Sequence, residues 1–472
     1  MPFVDLHSKD DYASIYYITN TPLGNVGGFD PKKPTIIMLH PMYMDSTWLD
    51  NQFGDPRLDK NHNLIAFDMR VCGNSSCRPS GKHDTWVEAA DIAFCHMALQ
   101  LPPCHILACE GISVNCALRF AILFPDMCLS LTLINVPAPT ELGWTFTALD
   151  EVTSTFCYAE DLESFEHAAM EAVKFTVGTN CDPDLQDDLI AYWELSMPPT
   201  RRVRAVELMN VIMNRVPLKP HMLKHIKQPV LIIQGERNET CPVKFAEKLV
   251  ADLVNARNGA ILYTVKGGTA ALSIIPGTAS IANQVFAKFV SRFKFDDVAM
   301  KPISKPVEER MAEALVKLSE LTGDSAIASR NPTSSLSFSC LTLDAVKGQT
   351  DSLELYRKGQ SNAFNPILPD GTPIRRYSER KKEHWFQGER DGISYAGAAF
   401  LPHKQGKIDL ELEKQLPIPV SDPISTDIAQ QGRLRRATIS PSSVDKQVIK
   451  GSMAKVVGSN SNPASLQRLL NK

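Results

Sequence analysis

From residue 35 to about residue 295, short apolar runs alternate with stretches whose apolar positions recur every three to four residues. The apolar runs fall at residues 35–39, 64–67, 105–108, 129–134, 230–233 and 261–265. Each is about as long as a strand buried on both faces. Helical spacing fills most of the gaps, notably at residues 86–99, 117–124 and 244–253. Pro102-Pro103 and Pro137-Ala138-Pro139 punctuate the connections. The alternation predicts an α/β fold: a mainly parallel sheet with helices on both faces. One connection, residues 140–227, is far too long for a loop and reads mostly helical. It predicts a helical cap inserted over the carboxyl edge of the sheet, where open α/β sheets bind ligands.

The pattern changes after a last core helix at residues 279–293. Residues 308–321 keep helical periodicity, which predicts a helical extension over 296–325. From residue 326 to 472 Ser, Asn, Pro, Gly and charged residues dominate, which predicts a mostly disordered tail with short docked pieces such as His384-Trp385-Phe386. The first 295 residues are read as one domain. An apolar share of 43% supports a substantial core for it. A net charge of −3 argues against nucleic acid as a partner. No run approaches the roughly 18 apolar residues of a transmembrane segment, and the first 16 residues lack a secretory signal's basic start and apolar run. The 11 cysteines lack Cys-x-x-Cys spacing, which suits reduced thiols in the cytoplasm and no metal site. No cofactor motif is present.

Residues 104–126, CHILACEGISVNCALRFAILFPD, have the strand–sharp turn–helix layout that carries the nucleophile of α/β-hydrolases, normally Gly-x-Ser-x-Gly. Counting back from the helix puts Gly111 at the serine position; counting forward from the strand puts Glu110 there. Neither is a serine. The oxyanion segment after the first core strand reads His40-Pro41-Met42-Tyr43, in which Pro41 has no N–H and the Met42 amide could donate. With Glu110, Gly111 and Ile112 these residues outline the expected binding region.

The other triad members are missing too. The acid turn after residues 230–233 reads Gly235-Glu236-Arg237-Asn238, an amide where a carboxylate is expected, flanked by Glu236 and Glu239. The histidine turn reads Gly267-Gly268-Thr269-Ala270, and no histidine lies between His225 and His384. Substitute groups are Ser113, which also suits a helix-start hydroxyl; Cys109, which also suits a small buried side chain; Glu110, as a base or an amine ligand; and His40, which also suits a structural role. His167 reads as a surface residue of the cap.

Over residues 33–293 the chain resembles α/β-hydrolase-fold proteins. More narrowly it resembles the N-myc downstream-regulated branch, or another degenerate, fungal one. The likeness rests on Gly111, Arg119, Ala121 and Pro125-Asp126; on Leu133-Ile134-Asn135 with Gly143-Trp144; on Tyr192-Trp193 with Arg201-Arg202; and on Gly267-Gly268 with Pro276-Gly277. The branch lacks hydrolase residues. It also has a tail modified by basophilic kinases, and Arg435-Arg436-Ala437-Thr438, beside Ser440-Pro441, makes Thr438 and Ser440 candidate phosphosites here. The tail is longer than the branch's, and Pro41 replaces an acidic residue. The expected function is binding or signalling through a small apolar ligand or a protein partner, with a pocket under the cap. The alternative is an esterase-like hydrolase with a displaced nucleophile.

Overall fold

The structure, a computed structural model of the chain, describes residues 2–178, 181–293, 301–302 and 304–374. The strands are β1 (Phe3–His7), β2 (Tyr12–Thr19), β3 (Thr35–Leu39), β4 (Asn63–Phe67), β5 (Ser76–Cys77), β6 (Cys104–Cys109), β7 (Cys128–Ile134), β8 (Val230–Gly235) and β9 (Ile261–Val265). They lie in the order β1-β2-β4-β3-β6-β7-β8-β9, with β5 paired to β2. The β1–β2 and β2–β4 pairs are antiparallel, and every later pair is parallel. This mainly parallel, mixed order is the α/β-hydrolase fold. The six expected strands are all present; β1, β2 and β5, with their mixed polar and apolar positions, carried no continuous apolar run.

The helices are α1 (Asp50–Phe53), α2 (Pro56–Asp59), α3 (Thr85–Ala98), α4 (Ile112–Leu123), α5 (Gly143–Cys157), α6 (Leu162–Val177) and α7 (Pro183–Ser196). They continue with α8 (Arg202–Met213), α9 (Pro220–Leu223), α10 (Val243–Asp252), α11 (Pro276–Val290), α12 (Val307–Thr322) and α13 (Leu343–Arg357). On one face of the sheet α3, α4, α10 and α12 bury Ile37, Ile106 and Leu131; on the other α1, α2 and α11 bury Ile36, Leu107 and Ile233. Each fully buried aliphatic side chain contributes about 1.5–3 kcal/mol. Strands β3, β4, β6 and β8 are buried throughout, as a central parallel strand requires. Strand β9 is not: Ile261, Tyr263 and Thr264 are exposed, because it is the last strand of the sheet and is only partly covered.

By its internal contacts the chain falls into two units, Met1–Ala148 with Val203–Lys358, and Leu149–Arg202 with Gly359–Lys472. The first unit holds the whole sheet. Residues 140–227, the expected cap, hold α5 to α9, of which only Leu149–Arg202 belongs to the second unit. In the second unit α6 opens with an Asp161–Ser164 capping box, and Phe156 packs on Phe165 and Trp193 at 4.8 and 6.4 Å between ring centres.

The expected helical extension is α12, whose Met311, Ala314, Leu315 and Leu318 are fully buried. Its Arg310 bonds Asp126 and the Leu123 carbonyl, each at 3.0 Å, and lies over the Phe124 ring. The expectation of a mostly disordered stretch beyond residue 326 gives way, up to residue 374, to ordered structure. Phe338 is buried against Phe124, the Cys340 amide donates to Asp84 at 2.8 Å, and Gln349 on α13 donates to the carbonyls of Gly81 and His83. These anchors are single residues in a polar background, without periodicity to announce them. Residues 375–472, including His384, Thr438 and Ser440, lie outside the described residues.

Candidate functional site

The carboxyl ends of β3, β6, β7, β8 and β9 bring together the segments a hydrolase would use. Strand β6 ends at Cys109, and α4 begins at Ile112. Between them Glu110 has φ 66°, and Gly111 has φ 62° and ψ −122°, a conformation side-chain-bearing residues rarely adopt. The apex of the elbow is therefore Gly111, which decides between the two counts of the sequence. A Cβ placed there would meet Met42 Cβ at 3.5 Å and its sulfur at 3.9 Å, ordinary contacts. Backbone strain, not crowding, favours glycine, and the Met42 side chain lies nearest to where a nucleophile would project.

Glu110 is buried and turned toward the connection between β9 and α11. Its carboxylate accepts from the Ser273 amide at 3.0 Å and the Ser273 hydroxyl at 2.9 Å. Burial pushes its pKa up to about 7, against the lowering effect of those two bonds and of Leu272 and Asn135. The group is thus a proton-sensitive clamp on the segment that carries the histidine in a triad enzyme.

The remaining candidates are engaged in structure. Cys109 is fully buried, and burial pushes its thiol well above the ordinary value, the opposite of an activated nucleophile. Ser113, the second residue of α4, is buried and donates its hydroxyl to the His40 carbonyl. His40 donates from Nδ1 to the Pro41 carbonyl at 2.8 Å and accepts at Nε2 from the Met69 amide at 2.9 Å. Burial lowers its pKa, and both ring nitrogens are occupied. Tyr43 has φ 60° and donates its hydroxyl to the Met209 sulfur at 3.3 Å; Ile112 is buried. His167 is exposed, as expected for a surface residue.

The acid and histidine positions are likewise absorbed. Asn238 accepts at Oδ1 from the Thr240 amide and hydroxyl and from the Cys241 amide, at 3.1, 2.9 and 2.9 Å. It shapes its own turn. Glu236 and Glu239 are exposed, and Glu236 accepts from the Gly267 amide at 2.8 Å. Asn135, at φ 53°, donates to the Ala270 and Thr269 carbonyls at 2.6 and 3.3 Å and accepts from the Gly235 amide at 3.0 Å. A Cβ on Gly235 would lie 2.6 Å from the Thr269 carbonyl oxygen, so glycine permits this close approach. Asn135 stood in the sequence only as a point of resemblance, and Ser273 carried no signal at all.

The Asp68-to-Ser75 turn is structural. Asp68 accepts from the Ser46 and Asn74 amides at 2.8 and 2.7 Å, and burial, with Asp45 beside it, pushes its pKa up to about 7. Among the described residues, no group of three or more His, Cys, Asp or Glu side chains is placed to hold a metal ion, and no helix is long and apolar enough to cross a membrane.

No family model matches the chain, and no curated protein matches it. Solved structures do. An α/β-hydrolase enzyme from a Medee basin deep-sea metagenome library is 20% identical, with a TM-score of 0.48, over 62% of this chain and 99% of its own. An esterase from Exiguobacterium antarcticum is 16% identical, with a TM-score of 0.49, over 61% and 99%. An enol-lactonase from Burkholderia xenovorans LB400 is 15% identical, with a TM-score of 0.46, over 59% and 97%.

Proposed function

We propose that this chain is a non-hydrolytic member of the α/β-hydrolase fold that works in the cytoplasm by binding a small apolar ligand or a protein partner. The observation that carries the reading is the glycine at the apex of the elbow, with the acid and histidine segments tied down by Glu110, Asn135 and Asn238. Losing even one triad member costs orders of magnitude in rate. The eleven free cysteines suit a reducing compartment. The resemblance to the N-myc downstream-regulated branch, or to another degenerate branch, supports the same reading, with the helical insertion at residues 140–227 supplying selectivity.

The test is turnover of short acyl esters by the purified full chain. Background rates are expected. Robust turnover that survives purification would overturn the proposal. A second reading is a hydrolase acting on an ester or similar small substrate, supported by the place of Glu110 beside the elbow apex, where its carboxyl would have to leave Ser273 to act as a base. Under that reading turnover would be present in the native chain and lost in Glu110→Gln.

Regulation by a kinase at Thr438 or Ser440 belongs to the same proposal. It is supported by the basic pair Arg435-Arg436 and by Pro441. A phosphate would bring roughly −1.5 to −2 charges beside those arginines. Mass spectrometry of protein from its native cell, with and without phosphatase, should show modification. Unmodified peptides under varied growth conditions would remove this part.

A further inference from the structure

The segment that leads from α8 into β8 carries cations and no acid. Between Glu207 and Glu236 there is no aspartate or glutamate, while Lys219, His221, Lys224, His225 and Lys227 follow one another within it. All five are exposed, and Met222, Leu223 and Ile226 among them are buried in the core. The apolar side of the segment thus packs inward and its cations stay in water. A chain of 53 acidic and 50 basic residues has a carboxylate for every cation, yet supplies none along this run.

Neighbouring elements extend the patch. The His221 imidazole lies 3.0 Å from the Leu321 carbonyl of α12, Asn255 donates to the Lys224 carbonyl at 2.8 Å, and the Arg257 amide donates to the Gln228 carbonyl at 3.3 Å. Lys317 of α12 and the exposed Arg257 therefore flank the run. The charges act on one another. After burial, Lys317, Lys227 and His221 lower the pKa of His225, and Arg310 and Lys227 lower that of Lys317. The carboxylates opposing these effects are Glu320 and Asp126, and Arg310 already holds Asp126 at 3.0 Å. Exposed aliphatic side chains border the cations: Val216 at 48%, Val254 at 62% and Val316 at 46%.

We propose that this patch is the docking surface for an acidic segment of a partner protein, with Lys224 and Lys227 at its centre. The inference rests on the protein-partner reading of the function and names the chemistry of that partner. Uncompensated cations attract carboxylates over about 8–10 Å at ordinary salt and fix the register of a charged partner. Two features select a protein over other polyanions. Val216, Val254 and Val316 suit aliphatic side chains interleaved with the acidic ones. No Phe, Trp or Tyr occurs in residues 208–235, in residues 252–259 or in α12. The patch therefore offers neither a stacking platform for nucleic-acid bases nor the aromatic anchors of a membrane-binding face.

Fluorescence anisotropy of a labelled peptide repeating Glu-Glu-Val, titrated with the full chain, tests this. The double variant Lys224→Glu with Lys227→Glu is compared with Lys9→Glu with Lys60→Glu, which reverses two exposed lysines elsewhere. The native chain and the second variant should bind the peptide alike, and the first variant at least about tenfold more weakly. Added salt should loosen the native complex. Should the first variant fail to fold, Lys224→Gln with Lys227→Gln makes the same comparison by removing the charges. No binding by the native chain, or equal binding by both variants, would overturn the proposal. Tighter binding of oligothymidylate or of equimolar phosphatidylserine–phosphatidylcholine vesicles would overturn it too. Ester turnover by the native chain would sink the proposed function and leave these affinities unchanged, so the two failures are told apart.

Discussion

The carboxylate of Glu110 holds Ser273 twice, accepting from its amide at 3.0 Å and from its hydroxyl at 2.9 Å. One partner sits beside the apex of the elbow, and the other lies in the connection after β9 that carries the histidine in a triad enzyme. Asn135 ties the same connection down from the end of β7. Together these bonds fix the connection after β9 at the carboxyl ends of the strands.

The Glu110 clamp makes stability depend on pH. The carboxyl has an ordinary value of 4.5 and a folded value of about 7. Between these the folded protein keeps a proton that the unfolded chain has released, so stability falls as pH rises from about 4.5 to 7 and remains lower above. The loss is on the order of 3 kcal/mol. Glutamine can still accept from the Ser273 amide and can donate to its hydroxyl. Glu110→Gln is therefore expected to raise the melting temperature at about pH 8 and to change it little at about pH 5. Thermal unfolding at both values checks this; equal shifts at both would refute it.

Gly111→Ser restores a hydroxyl to the elbow and should restore no activity. Room for a Cβ exists against Met42, so the variant should fold, with a strain cost of about 1–3 kcal/mol from the positive φ. The new hydroxyl would find no histidine in the connection after β9, and His40 has both ring nitrogens occupied. Ester hydrolysis and the melting temperature should be measured together. Turnover well above the native chain would show that a latent base is within reach.

The parallel sheet was legible in the sequence because buried strands are continuous apolar runs, and β3 and β9 match the expected residues at both ends. The elbow was legible as a place. Two counts disagreed on its apex, however, because α4 starts at Ile112, five residues before the apolar helical pattern became unmistakable. The residue types at the positions where a triad is expected were also readable from the sequence. What held the empty positions was not. The Glu110–Ser273 pair is separated by 163 residues, and a serine among apolar neighbours carries no pattern. The ordered stretch beyond residue 326 was missed for a related reason: Phe338 packs on Phe124, Cys340 bonds Asp84 and Gln349 bonds Gly81 and His83, all distant in sequence.

Phe338 gives that stretch a test. Its ring is fully buried, 6.4 Å from the ring of Phe124. Phe338→Ala should cost about 3–5 kcal/mol, as for a ring removed from a core. It should lower the single unfolding transition of the sheet-bearing unit and leave no separate early melt. A change below about 1 kcal/mol in denaturant titration would mean that the segment is only loosely attached.

The last prediction concerns a second buried titrating group, a base in place of an acid. His83 has no exposed surface; its Nδ1 lies 3.1 Å from Glu207 on α8 and its Nε2 3.6 Å from Glu88 on α3. Burial alone would drive its pKa down, but the hydrogen bonds and charges of the two carboxylates together outweigh burial and lift it to about 9. The folded value lies above the ordinary 6.5, so the stabilisation is fully present below about pH 6.5 and is lost as pH rises through 9. Its size is on the order of 3 kcal/mol. Glu207→Gln keeps the shape and removes one carboxylate charge. It should bring the His83 titration midpoint down toward its ordinary value and flatten the alkaline fall in stability. It should also destabilise the protein at neutral pH. An imidazole titration followed by NMR, alongside melting temperatures from neutral to alkaline pH, checks all three. A native midpoint at or below the ordinary histidine value would show that burial, and not the carboxylate pair, governs this site.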